Sequence, residues 1–321
     1  MKTLLLTRTG MINNLVYTCS VDIPVLQHDE VLVKVKFCGV NHLDLLIRSG
    51  KRPGPKAFPH VLGSEIVGEL ASGEKVAVYP WTFCGECQSC RTGHENICDQ
   101  GGTIGRTSPG GYAEYAAVPK KNLVTIPKGV ALKDVCALTL AGTTAVHLIN
   151  RAQVADKSAV LVTGATGGVG TAVIQLLKAK KCKITAVTSH QKKAAKLERL
   201  GVSRVVSLAN LPKGARYVID IVGGSVWSAA VETLAKSGTM VFCATSKEEL
   251  GQINIGSAFS REINVLGSYG GTRKDLTTAI RLLEQGILKP VIYNIYPLEK
   301  AGKAHQTLEN QQVFGKVLLQ P

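Results

Sequence analysis

Cys84, Cys87, Cys90 and Cys98 are separated by two, two and seven residues within one stretch, CGECQSCRTGHENIC. Four thiolates this close together let an irregular loop wrap a tetrahedral zinc ion, with Zn–S bonds of about 2.3 Å. Four protein sulfurs leave no open coordination position, so a zinc held this way is structural. A disulfide pair, spare thiols or an iron–sulfur cluster are the competing readings of the same spacing. The nine cysteines make an odd count, which argues against a disulfide framework. The other five, Cys19, Cys38, Cys136, Cys182 and Cys243, read as small buried hydrophobes.

A second stretch with chemistry in it is VLVTGATGGVGTAVIQLLKA, residues 160–179. An apolar run leads into a loop of Gly164, Ala165, Thr166, Gly167, Gly168, Val169 and Gly170, and helical spacing follows. Gly164 permits a tight turn, Gly167 and Gly168 let backbone approach a pyrophosphate, and Gly170 lets helix pack on strand. Free N–H groups at the helix start then face the phosphates. The strand–loop–helix context makes this a dinucleotide site; a glycine-rich turn without ligand is the alternative. About 20 residues on, an NAD site offers a carboxylate to the ribose. Here stand Thr188, Ser189, His190, Gln191, Lys192 and Lys193, with no acid. Hydroxyls and two cations suit a 2′-phosphate, so the charges favour NADP(H). The competing reading is a solvated helix start.

These stretches need two different frames. Residues 1–125 carry alternating and β-branched runs, VLVKVKF, EKVAVYP and YAEYAAVP, separated by turn signals such as GKRPGP and SPGG. From about residue 133 helical spacing takes over. Strands at 159–163, 183–187, 216–221, 239–243 and 263–267 then alternate with helices at 169–180, 191–200 and 226–236. That order predicts an α/β fold with a doubly wound, Rossmann-type parallel sheet over 126–271. The tail has a helix at 274–286 and strands at 291–296 and 316–319, and is expected to rejoin the first domain. The two domains are thus 1–125 with 272–321, and 126–271.

Composition narrows the partners. Formal charge is +15, but the lysines and arginines are scattered and no nucleic-acid module is present. A basic field that steers phosphate-bearing small molecules accounts for it, and no nucleic-acid partner is expected. No apolar run approaches the roughly 18 residues of a membrane span. The opening MKTLLLTRTG reads as a strand rather than a signal segment. A cytoplasmic protein without a membrane partner is expected.

The motifs together resemble the medium-chain dehydrogenase/reductase superfamily. They are GVNHLD (39–44), PHVLGSE (59–65), the cysteine lobe 84–98, GGYAEY (110–115), LAGTTA (140–145), GATGGVG (164–170) and GKVLL (315–319). The lobe is similar to that of the zinc alcohol dehydrogenases, and the nucleotide loop to that of the quinone-oxidoreductase branch. The resemblance implies a GroES-like catalytic domain beside the Rossmann domain. It also implies one structural zinc, a nicotinamide cofactor and a homodimer or homotetramer. The three catalytic-zinc ligands of the alcohol dehydrogenases fall at Asn41, Ser64 and Leu140, so no catalytic zinc is expected. Cys38 and His60 lie off those positions.

An oxidoreductase without a Lewis acid is expected to reduce acceptors already polarised: enones, quinones or reactive ketones. By resemblance, Asn41 and Ser64 hydrogen-bond the acceptor, and His42 contacts pyrophosphate or relays protons. Asp44 orients its loop, Trp81 lines the substrate pocket, and Tyr269 is a candidate proton donor. Thr144, Ser268, Gly270 and Cys243 lie near the cofactor. Two other readings compete: a zinc-dependent alcohol dehydrogenase with irregular ligands, and an idle NADPH-binding sensor.

Overall fold

A computed structural model of the chain describes residues 1–245 and 249–321. It divides into two compact units. The first comprises Met1–Leu140, Thr272–Glu284 and Pro290–Pro321; the second comprises Ala141–Gly271 and Gln285–Lys289.

The first unit begins with strands β1 (Thr3–Leu6), β2 (Leu15–Thr18) and β3 (Glu30–Val40) and helix α1 (His42–Arg48). Strands β4 (His60–Val61), β5 (Glu65–Glu69), β6 (Lys75–Val78) and β7 (Trp81–Thr82) follow, then the short helix α2 (Gln88–Arg91) in the cysteine lobe. Next come β8 (Gly102–Thr103), β9 (Tyr115–Pro119), β10 (Leu123–Thr125) and helix α3 (Leu132–Thr139). Alternation along β3 turns Val33 and Val35 into the core, and a register shift between Val35 and Phe37 brings Cys38 and Val40 into the same cluster. The turn into α1 is fixed by Asp44, whose Oδ2 accepts the Asn41 N–H at 2.8 Å.

The second unit runs α4 (Ala141–Arg151), β11 (Ala159–Val162), α5 (Gly168–Ala179), β12 (Lys183–Val187), α6 (Ala194–Leu200) and β13 (Arg204–Val206). It continues with β14 (Ala215–Asp220), α7 (Gly224–Val231), β15 (Leu234–Phe242), α8 (Ile255–Ser260) and β16 (Asn264–Gly267). Its six strands are all parallel, in the order β13-β12-β11-β14-β15-β16. This is the dinucleotide-binding arrangement, with β11 at the crossover point where ligands bind.

The chain then returns to the first unit as α9 (Arg273–Glu284), β17 (Ile292–Pro297), α10 (Ala301–Glu309) and β18 (Lys316–Gln320). Strand β18 slots between β17 and β3 in a sheet ordered β10-β6-β5-β3-β18-β17, with β9 also on β3.

Two expectations need correcting. The boundary expected at residue 126 falls after Leu140, because α3 buries Val135 and Cys136 in a cluster with Val67, Ala77, Tyr79 and Leu318 of the first unit. The helix expected over 226–236 ends at Val231, because Leu234 already pairs with Ala215 as β15 begins. Among the described residues no single helix is long and apolar enough to cross a membrane.

Candidate functional site

The four sulfurs of the cysteine lobe converge. Sγ of Cys84 lies 3.5 Å from that of Cys98 and 3.8 Å from that of Cys90, and Cys87 lies 3.8 Å from Cys98. The edge of a zinc–sulfur tetrahedron is about 3.8 Å for Zn–S bonds of about 2.3 Å. The N–H groups of Cys87 and Glu86 donate to Cys84 Sγ, each at 3.3 Å, and pull that thiol down to about 6. The lobe therefore fits a structural zinc. Among the described residues it is the one group of three or more His, Cys, Asp or Glu side chains with converging ligand atoms. Cys38 and His60 form no such group.

The glycine loop is built for close approach. Gly164 has φ +60°, and a Cβ on Gly170 would fall 2.3 Å from the Gly164 carbonyl oxygen. Only glycine fits there, which brings α5 tight against β11. The N-cap of α5 is Gly167, with no side chain capping the first N–H groups, so these remain for a pyrophosphate. Below the loop, buried Asp220 accepts Thr163 Oγ1 and, at 2.8 Å, the Gly223 N–H, tying β14 to β11. A dinucleotide fits this cradle.

At the end of β12, Thr188 Oγ1 accepts the His190 N–H at 3.1 Å, and Ser189 is exposed. Lys192 is exposed and Lys193 half-buried; burial and then Lys196 push the Lys193 ammonium pKa down. The first acidic residue beyond the strand is Glu198. Also in the second unit, Thr144 is buried on α4, Cys243 donates its N–H to Asp220 O at 3.2 Å, and Tyr269 is half exposed just past β16. Ser268 Oγ is buried with no hydrogen-bond partner among the described residues, and Gly270 has φ +56°.

In the first unit, Asn41, Ser64 and Leu140 are all drawn around Glu65. Leu140 N–H donates to Glu65 Oε1 at 2.8 Å, and Asn41 Nδ2 donates to Glu65 Oε2 at 3.2 Å. A close ion pair joins Lys316 Nζ to Glu65 Oε2, and the same ammonium donates to Asn41 Oδ1. The Asn41 amide, expected to face an acceptor, is thus engaged at both ends within the protein. Ser64 Oγ is fully buried without a hydrogen-bond partner among the described residues.

Beside this group Asp44, also fully buried, accepts Tyr112 OH at 3.1 Å, and Tyr112 OH meets His305 Nε2 at 3.3 Å. Burial raises Asp44 to about 6, and burial together with Arg48 lowers His305 to about 3. His42 lies exposed on α1. Trp81, expected to line a pocket, is 5% exposed and packs on Tyr79 at 5.3 Å. The Asn122 amide clamps the Tyr79 and Trp81 carbonyls and holds that ring in the core. The spacing of motifs did not reveal Lys316, Tyr112 or His305 as neighbours of these residues, since each arrives from a remote strand, loop or helix.

Residues 27–128 match the family model of the alcohol dehydrogenase GroES-like domain, and residues 168–285 that of the zinc-binding dehydrogenases. An alcohol dehydrogenase of Geobacillus stearothermophilus is 28% identical over 325 residues, covering 93% of this chain and 94% of that one. An acryloyl-coenzyme A reductase of Metallosphaera sedula is 28% identical over 305 residues, covering 90% and 92%. Among solved structures, a cobalt- and zinc-bound thermostable alcohol dehydrogenase from Pyrobaculum aerophilum aligns with a TM-score of 0.92 at 31% identity, over 100% of this chain and 99% of that one. Similar in sequence and in fold along its length, the chain belongs to the zinc-type alcohol dehydrogenase superfamily of medium-chain dehydrogenases and reductases.

Proposed function

We propose that the protein is an NADPH-dependent reductase of activated carbonyl acceptors, namely enones, quinones or reactive ketones, and works without a catalytic zinc. The observation that carries this reading is the content of the three ligand positions: an amide, a hydroxyl and an isobutyl group, with the Asn41 amide and the Leu140 backbone N–H donating to a Glu65 carboxylate already paired with Lys316. None offers the thiolate or imidazole that holds a catalytic zinc. A relative named as an acryloyl-coenzyme A reductase acts on an α,β-unsaturated acyl group, in keeping with this acceptor class.

When bound, the nicotinamide supplies a hydride. The chain's own residues do the rest. The loop from Gly164 to Gly170 holds the pyrophosphate, and Thr188, Ser189, Lys192 and Lys193 hold the 2′-phosphate. Thr144, Cys243, Ser268 and Gly270 border the nicotinamide, with His42 on the phosphates. The buried Ser64 hydroxyl is available to donate to the acceptor oxygen. The first unit carries the acceptor chemistry and the second the nucleotide. We further assign it to the cytoplasm as a homodimer or homotetramer; the open edge strand β16 and the exposed Ile255 and Phe259 of α8 support self-association.

The test is NADPH consumption across a panel of quinones, enones and aryl ketones, with metal analysis on the same sample. Turnover with one zinc per chain is expected. Two zinc ions per chain would overturn the zinc-free reading, and tight NADPH binding with silence across the panel would make the protein a sensor.

A further inference from the structure

Lys316 is the first residue of β18, set beside Asn41 because Val317 pairs with Val40 at the end of β3. Gly315 aims it there: φ is +95°, and a Cβ would fall 2.0 Å from the Val291 carbonyl oxygen. The lysine side chain is 6% exposed and its partner Glu65 not at all. Glu65 lies directly against the Gly39 backbone, where a Cβ would fall 2.1 Å from its Oε2. The carboxylate is further held by the Leu140 and Asn41 N–H groups. An ammonium has three N–H donors. One goes to Glu65 and one to Asn41; the third has no acceptor among the described residues.

We propose that the Lys316 ammonium, held by Glu65 and Asn41, is the electrophile for the acceptor, a tethered cation whose remaining N–H hydrogen-bonds the acceptor's carbonyl oxygen. The inference rests on the acceptor class proposed above. For a ketone, the carbonyl carbon gains a C–H bond with the hydride of NADPH, and its π pair moves to oxygen. NADPH becomes NADP+. The alkoxide, stabilised by Lys316, then takes a proton from solvent. For an enone the hydride goes to the β-carbon and the charge reaches the same oxygen as an enolate. A tethered positive charge at this oxygen stabilises the oxyanion more than the neutral ground state, which is the condition for faster chemistry.

Three variants test it: Lys316→Met, Lys316→Arg, and Lys316→Met with Glu65→Gln, which removes both buried charges together and guards against misfolding from an unpaired carboxylate. The double variant is expected to lose about a hundredfold in kcat, with KM and NADPH affinity within a few fold. Lys316→Arg should recover part of the loss. A second readout needs no turnover. The NADP+ complex of the unaltered protein should bind 4-nitrophenol as the phenolate, seen by its absorption, and the Met variants should lose that preference about tenfold or more. Full kcat in the double variant would overturn the proposal. So would a fall in NADPH affinity that matches the fall in kcat, since Lys316 would then serve the phosphates. Absence of any phenolate preference in the unaltered protein would do the same. Silence of the unaltered protein toward every acceptor would instead sink the acceptor class, while the phenolate comparison would still judge Lys316.

Discussion

At the residue scale, burial sets the charge states around the candidate site. His305 is buried among Tyr112, Asp44 and Arg48, and its pKa is lowered to about 3. The unfolded imidazole takes up a proton near pH 6.5 while the folded one stays neutral, so its share of stability is present above pH 6.5 and is lost as pH falls toward 3. Replacing His305 by Gln should remove about one proton from the unfolding linkage in that window, a slope of about 1.4 kcal/mol per pH unit. Calorimetry on both proteins from pH 7 to pH 4 measures the difference; parallel stability curves would contradict it. Asp44 runs the other way: its pKa is raised to about 6, so its share is full below about 4 and lost as pH rises through 6. A second residue-scale outcome concerns Lys192 and Lys193. Changing both to Ala should weaken NADPH at least about tenfold and leave NADH nearly untouched, as titration of each nucleotide will show. Equal losses for both would remove the 2′-phosphate assignment.

At the element scale, the strand–loop–helix at β11 and α5 gives a contrast between two neighbouring glycines. A Cβ at Gly170 collides with the Gly164 carbonyl, whereas one at Gly167 meets nothing nearer than 3.7 Å. Gly170→Ala should therefore abolish nucleotide binding and lower Tm, while Gly167→Ala should keep stability within about 0.5 kcal/mol; thermal melts with and without NADPH decide it. The glycine loop and the cysteine lobe were legible because each is compact in sequence and its chemistry depends on short spacing. The parallel sheet was legible from alternating apolar runs. The Asn41–Glu65–Lys316 group was not, because its members come from three separate places, and a lysine in GKVLL looks like any strand residue until β18 is laid beside β3. Trp81, expected beside the lobe as a pocket wall, has its ring packed on Tyr79 and its carbonyl held by Asn122, 41 residues away, a partner that local spacing does not show.

At the scale of the whole molecule, the zinc lobe is fastened to the rest of the first unit. Lys121 Nζ donates to the Cys84 carbonyl at 3.2 Å, and Glu95 Oε1 accepts the Arg273 N–H at the start of α9. Stripping the zinc should raise amide exchange through residues 84–103 and the first turn of α9, while strands β11 to β16 keep their protection. Uniform exchange across both units after chelation would refute a locally structural ion. The placement of β18 carries one last consequence. All six strands of the second sheet come from one continuous stretch, residues 159–267, so that sheet can assemble as it emerges from the ribosome. Strand β3 must wait for a neighbour made some 280 residues later, holding an unpaired flank throughout synthesis. The half of the protein made first is thus finished last, and its nascent form is the stage most in need of a chaperone.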